Sequence, residues 1–301
     1  MLFNFFLKNH HVTGLASLED IINPIAAGLV EGGHEVQFEY GHLLPRPWVN
    51  VMFEYFPDLR LVEELAQARR DHGDDLILGL IGTEDLSDTI SMGERGDQKR
   101  LDNMHRAMPL FDFIWSIVPV EDYARLFPDC QTAHFLPFGY CPTLASPPAV
   151  HQGIDVMLYG KLNAWRAPVV QSLLESGARI QATFGDMPDF IRKNMLGRSR
   201  IVLDMRRGAV VRYMSPSRIC AALHAGALVV AESFDVSELA SLYRYVVAAD
   251  YGELAPTCRT LLADETARSA TAADLLARFR AETSMKANLE ALLPTIPLPE
   301  E

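Results

Sequence analysis

The stretch YMSPSRICAALHAGALVVAES, Tyr213 to Ser233, holds a loop, a helix and a strand in one reading. Ser215 or Ser217 suits a helix N-cap, and Pro216 suits the first turn, where a missing N–H removes no hydrogen bond. The small residues of CAALHA let a helix lie close against a sheet. Gly226 follows where a helix must stop in a left-handed conformation. ALVVA then reads as a short buried parallel strand, and Glu232 falls at its carboxyl end.

Outward from this stretch the same alternation continues. Upstream, IDVMLYG, ARIQATFG and SRIVLDMR read as strands, with APVVQSLLESG and MPDFIRKNM as the helices between them. Downstream come YRYVVAAD as a strand and a helical region from about Pro256 to Leu293. In the first half LFNFFL, EVQFEY, VNVMFEYF, DLILGLIGTE, DFIWSIV and AHFLPFG are strands. Residues 17–31 form a helix in which Pro24 is expected to place a kink, and RLVEELAQARRDHG, QKRLDNMHRAMPLF and EDYARLF are further helices. YCPTLASPPAVHQG has no periodicity and reads as a linker.

The expectation is α/β: two Rossmann-like, doubly wound parallel-sheet domains with a cleft between them. The first spans residues 1–140, the linker 141–153, the second domain 154–293 and a tail 294–301. In such sheets ligands bind beyond the carboxyl ends of the strands, so the loops after strands carry the candidates.

Composition narrows the function classes. A chain of 301 residues with 49% hydrophobic and 22% charged residues is an ordinary globular one. Its net charge of -12 argues against a nucleic-acid partner, which needs a basic footprint. Cys130, Cys141, Cys220 and Cys258 form no Cys-x-x-Cys pair and read as reduced thiols of a cytoplasmic protein. The opening MLFNFFLKNHH reads as a strand rather than a signal peptide. No apolar run reaches transmembrane length, which leaves peripheral association with the inner face of a membrane open.

Against that acidic background, residues 192–218 hold Arg192, Lys193, Arg198, Arg200, Arg206, Arg207, Arg212 and Arg218, with Asp204 the only acid among them. A solvated basic face, or pairing with acids elsewhere, is one reading. The other is a positive field at the mouth of a site for a small polyanion such as a diphosphate. Arg218 favours the second. A cation in the first turn of a helix opposes the macrodipole, unless an anion lies at that helix N-terminus. Arginine grips phosphate through two parallel hydrogen bonds.

SRICAALHAGALVVAES resembles the C-terminal donor-site segment of GT-B glycosyltransferases. It is similar to bacterial families with a glycosyltransferase family 1-like donor-binding domain. Their segment reads Arg, two apolar residues, Glu-Ala, two more, Gly, then a strand ending in Glu. Arg218, Ala222, Gly226 and Glu232 match, whereas Ala221 stands where the family has its ribose-binding Glu. IDVMLYGKLNAWRAPVVQSLLESGARIQATFG resembles the opening β-α-β of the same domain, with Gly160, Lys161 and Arg166 in its loop. Asp250, Glu253 and Leu254 fit the start of its final helix. The likeness covers about residues 154–290. More loosely, NHHVTGLASLEDIINPIAAGLVEGGHEV resembles the start of an acceptor domain.

The resemblance implies transfer of a sugar from a nucleotide-diphosphate sugar to an acceptor hydroxyl, with the donor as substrate and no cofactor or metal. The diphosphate would lie near Gly160, Lys161, Arg166, Arg212, Ser217 and Arg218, with Glu232 arriving at its strand end. His11, or its neighbour His10, would act as general base, with Glu54 and Glu84 (beside Asp85) as alternatives. Glycan, lipid-linked and protein acceptors all stay open, as do the base, the sugar and the stereochemistry. Two rival readings remain: a GT-B-like binding or scaffold protein, for which Ala221 speaks, and a nucleotide-sugar epimerase. The sequence holds no Walker A loop, Gly-x-Gly-x-x-Gly after the first strand, Gly-x-Ser-x-Gly elbow, zinc spacing or Asp-x-Asp at a strand end.

Overall fold

Continuous apolar runs have become strands buried on both faces, as parallel sheets require. In a computed structural model, residues 1–8, 15–16, 18–83, 86, 98–146, 149, 151–182, 187–208, 215–233 and 240–297 are described. The chain divides into two units. Unit 1 comprises Met1–Val12, Gly28–Pro137 and Lys286–Glu301, and unit 2 comprises Thr13–Ala27 and Phe138–Met285. The change near residue 138 falls just before the expected linker. The grouping of Thr13–Ala27 with the second half, and of the C-terminal end with the first, has no counterpart in the sequence pattern.

Unit 1 is built on β1 (Leu2–Phe6), β2 (Glu35–Glu39), β3 (Trp48–Phe53), β4 (Ile77–Gly82), β5 (Phe113–Ser116) and β6 (Ala133–Phe135). They form one sheet in the order β2-β1-β3-β4-β5-β6, with every pair parallel. The helix α1 (Glu19–Glu31) runs through Pro24 as a single element. Next, α2 (Leu59–His72) is started by Asp58, whose side chain accepts from Arg60 N, and α3 (Gln98–Ala107) and α4 (Glu121–Leu126) follow. Leu61, Val62 and Leu65 of α2 pack with Met104 of α3 and Leu78 and Leu80 of β4 in the core of this unit.

Unit 2 carries β7 (Ile154–Leu158), β8 (Ile180–Ala182), β9 (Ser199–Asp204), β10 (Leu228–Glu232) and β11 (Val247–Ala249). All are parallel, in the order β11-β10-β9-β7-β8. Between them lie α5 (Ala167–Glu175), α6 (Asp189–Gly197), α7 (Pro216–His224) and α8 (Ala240–Tyr243). The expected long C-terminal helical region is three helices: α9 (Leu254–Ala263) and α10 (Glu265–Glu282) in this unit, and α11 (Met285–Leu292), of which all but Met285 is grouped with unit 1. Val156, Leu158, Leu203, Val230 and Leu254 meet in the unit 2 core.

Both sheets are therefore doubly wound, as expected. Each reverses strand order once, between β1 and β3 and between β7 and β9. Such reversals leave a crevice at the carboxyl ends of the strands. Among the described residues no helix is long and apolar enough to cross a membrane.

Candidate functional site

At the reversal in unit 2, β7 and β9 run on side by side past their last paired residues, with Tyr159 N donating to Leu203 O at 3.0 Å. The chain then turns at Gly160, whose φ of +128° lies in the region open to glycine. Close approach adds a second requirement. A Cβ at this position would lie 2.6 Å from Arg166 Nη1 and 3.2 Å from Arg218 Nη1. Two guanidiniums thus converge on one glycine at a sheet's switch point.

They differ in what they hold. Arg166 is buried and caps the start of α5. It donates from Nε to Arg206 O at 3.0 Å, from Nη1 to Lys161 O at 2.8 Å, and from Nη2 to Met205 O. It therefore fastens the loop after β7 to the loop after β9. Burial, with the charge of Arg218 beside it, lowers its pKa to about 10, and it stays charged at neutral pH. Arg218 sits in the first turn of α7 with a third of its side chain exposed, 3.8 Å from Asp204 Oδ1 and 6.0 Å above the Tyr159 ring. Its guanidinium makes no hydrogen bond to a described residue.

The remaining unit 2 candidates surround this pair. Ser215 is the N-cap of α7 but its side chain bonds no helix N–H; its Oγ lies 2.8 Å from that of Ser217, which is buried. Lys161 is exposed. Glu232 is fully buried at the end of β10. Its Oε1 accepts from Arg206 Nε at 2.9 Å and Nη2 at 2.6 Å, and its Oε2 from Arg206 N at 3.0 Å. Glu232 thus shapes the loop after β9. Gly226 closes α7 with φ +69°, as the sequence pattern requires. Arg212, His10, His11, Glu84 and Asp85 lie outside the described residues.

Glu54, in unit 1, follows β3 and is buried. Its Oε2 accepts from Thr83 N at 3.0 Å and from Tyr123 Oη at 2.8 Å. That bonding ties β3 to the loop after β4.

Sequence reasoning passed over Asp204 and Tyr159 and left Arg192 between two alternatives. Asp204, noticed only as the single acid of a basic run, ends β9 fully buried beneath the arginine pair. Arg192 is buried, and of those alternatives pairing with acids holds: it is bonded to Asp20 at 3.0 Å, Glu19 at 3.2 Å and Asp189 at 3.0 Å. Tyr159 donates its hydroxyl to Asp20. Burial raises the pKa of Asp20, and burial with the adjacent Asp20 raises that of Tyr159 well above the phenol range. Ala221 borders a cavity that Glu19, Asp20, Asn23 and His224 also line. The signal for these was a surplus of charge at buried-looking positions; the partners lie too far along the chain to be read.

Residues 146–294 match the family described as glycosyl transferase-like. The fold is similar to that of T4 phage β-glucosyltransferase, solved with UDP and Mn2+, at a TM-score of 0.62 and 10% identity, covering 99% of this chain and 100% of the other. It is similar to HepE of Anabaena, solved with UDP-glucose, at a TM-score of 0.57 and 12% identity, covering 98% and 100%. TarM of S. aureus, solved with UDP, aligns at a TM-score of 0.53 and 8% identity, covering 82% of this chain and 55% of the other. No curated protein sequence matches the chain.

Proposed function

We propose that this chain, whose residues 146–294 match the glycosyl transferase-like family model and whose fold is similar to that of T4 phage β-glucosyltransferase, is a glycosyltransferase that moves a sugar from a nucleoside-diphosphate donor to an acceptor hydroxyl, with the diphosphate lying over Gly160 against Arg218. One observation carries this reading: two guanidiniums converge on a glycine at the switch point of a parallel sheet, and one of them has its donors unused by described residues. As the sugar leaves, charge builds on the diphosphate. Arg218, the fixed charge of Arg166, Lys161, Arg212 and the N–H groups at the start of α7 around Ser217 would stabilise it in place of a metal ion. Glu232 contributes through Arg206, whose loop it holds. The proton acceptor is assigned to His11, with Glu84 as alternative. Glu54 is less suited, because two hydrogen bonds already occupy its Oε2. Four free cysteines fit a reducing, cytoplasmic setting.

UDP-, GDP-, CMP- and dTDP-linked sugars test the donor class by thermal shift, because a ligand that binds only the native state raises Tm. No shift with any of them removes the donor reading. Arg218→Ala should weaken the binding donor by about 1.5–3 kcal/mol, the scale of a charge-assisted hydrogen bond, while the fold survives. Unchanged affinity takes Arg218 out of the site. Turnover that persists in EDTA supports the metal-free assignment, and turnover restored only by Mn2+ overturns it. Ala221 favours a second reading, a protein that binds the donor without transferring the sugar. Release of free sugar from the bound donor, or its absence, separates the two.

A further inference from the structure

We propose that Asp204 is a positioning residue for the donor: its buried carboxylate holds Arg218 at Gly160 while the site is empty and yields Arg218 to the diphosphate by taking up one proton from solvent. The inference rests on the donor reading above and adds a group that does not itself touch the ligand.

Asp204 ends β9 with no exposed surface, and apart from the adjacent Met205 N–H neither carboxylate oxygen has a hydrogen-bond donor among the described residues. An acid buried in that state is uncommon, and such groups concentrate at functional sites. The groups facing it come from each neighbouring element: Arg218 from α7, Arg166 from the start of α5, Glu232 from β10 and Tyr243 from α8. Of the cations nearby, Arg166 is bonded to three carbonyls and Arg206 to Glu232. Among the described residues, Arg218, at 3.8 Å and with no hydrogen bond to another of them, is the one Asp204 can exchange.

A nucleotide sugar brings two phosphodiester charges. Bound to Arg218, they set an anion beside Asp204 in addition to Glu232, and like charges raise a carboxyl's proton affinity. Burial already lifts the Asp204 carboxyl to about 7, so the proton is available at neutral pH. The balance is simple: ionised Asp204, donor and one proton give the complex with neutral Asp204, and the only new covalent bond is O–H. Because the occupied site holds the proton more tightly than the empty one, donor affinity is greatest below the empty-site pKa. It falls as pH rises through 7 and beyond.

Calorimetric titration of the full chain tests this with UDP-glucose, GDP-mannose, ADP-glucose and dTDP-glucose, the tightest binder being carried through a pH series. Their phosphodiesters do not titrate over that range. Between about pH 6.5 and 8.5 the wild-type Kd should rise about tenfold, and buffers of different ionisation enthalpy should report uptake of a fraction of one proton. Asp204→Asn should bind at pH 8.5 about as tightly as wild type at pH 6.5 and show a flat profile. A purely structural Asp204 would change stability and leave the slope intact. Should Asp204→Asn fail to fold, the wild-type proton uptake decides. Binding with a flat profile and no proton uptake overturns this inference alone, whereas absence of binding for all four donors at every pH overturns the donor reading together with it.

Discussion

Glu54 and Asp204 stand at matching points of two sheets. Each comes at the carboxyl end of the strand that lies beyond the reversal in strand order, β3 beside β1 in one sheet and β9 beside β7 in the other. Both are buried. Glu54 accepts a backbone N–H and a tyrosine hydroxyl that bind β3 to the next strand's loop. Apart from the adjacent Met205 N–H, Asp204 has no hydrogen-bond donor among the described residues, and it looks at two arginines. The same fold position can therefore give an acid hydrogen-bond partners. Where it gives charges instead, the acid's ionisation answers to whatever charge is set beside it.

The sharpest way to break this contrast is the pH dependence of stability. Asp204 has a folded pKa of about 7 against an ordinary 3.8, so the folded state binds more protons between those values. Stability therefore declines as pH rises from about 4 to about 7, and between pH 5 and 8 the loss amounts to about 2–3 kcal/mol. Urea unfolding of Asp204→Asn at the two pH values should show that decline removed; a decline parallel to wild type would mean the acid is not the group that titrates. Glu54→Ala should act on stability alone. It strands Thr83 N and Tyr123 Oη, at a cost of about 2 kcal/mol, with donor Kd unchanged within experimental scatter. A large loss of donor affinity in a folded Glu54→Ala protein would erase the distinction between the two acids. The smallest expected effect is at Gly160→Ala. A positive φ on an L-residue costs about 1–2 kcal/mol, and the new methyl must displace the Arg166 guanidinium. Weaker donor binding in a variant that stays folded at the assay temperature would show that the glycine matters for access as well as for the turn.

Much of the fold was legible because the signals are local. ALVVAE became β10, IDVML became β7, and Gly226 ended α7 at the place its conformational freedom demands. At the site, residue types were legible and their partners were not. Arg166 and Arg218 look alike in sequence, yet one is bonded to three carbonyls and the other faces an acid across 3.8 Å. Arg192 belonged to an apparent basic run until Glu19, 173 positions away, was found beside it.

By itself the sequence determined that this chain alternates buried strands with helices, that its basic charge gathers in one span, and that its donor-like motif lacks the acid at Ala221. Periodicity, capping and composition act over a few residues, so no tertiary contact is needed to read them. Only the tertiary structure decided which of those basic residues is bonded into the fold, which makes no hydrogen bond to a described residue, and that Asp204 lies beneath them. Those roles depend on strand order, which sets β7, β9 and β10 side by side and so brings Gly160, Asp204, Arg218 and Glu232 to one end of one sheet. Charge pairing across such distances is written in the packing, and no local pattern records it.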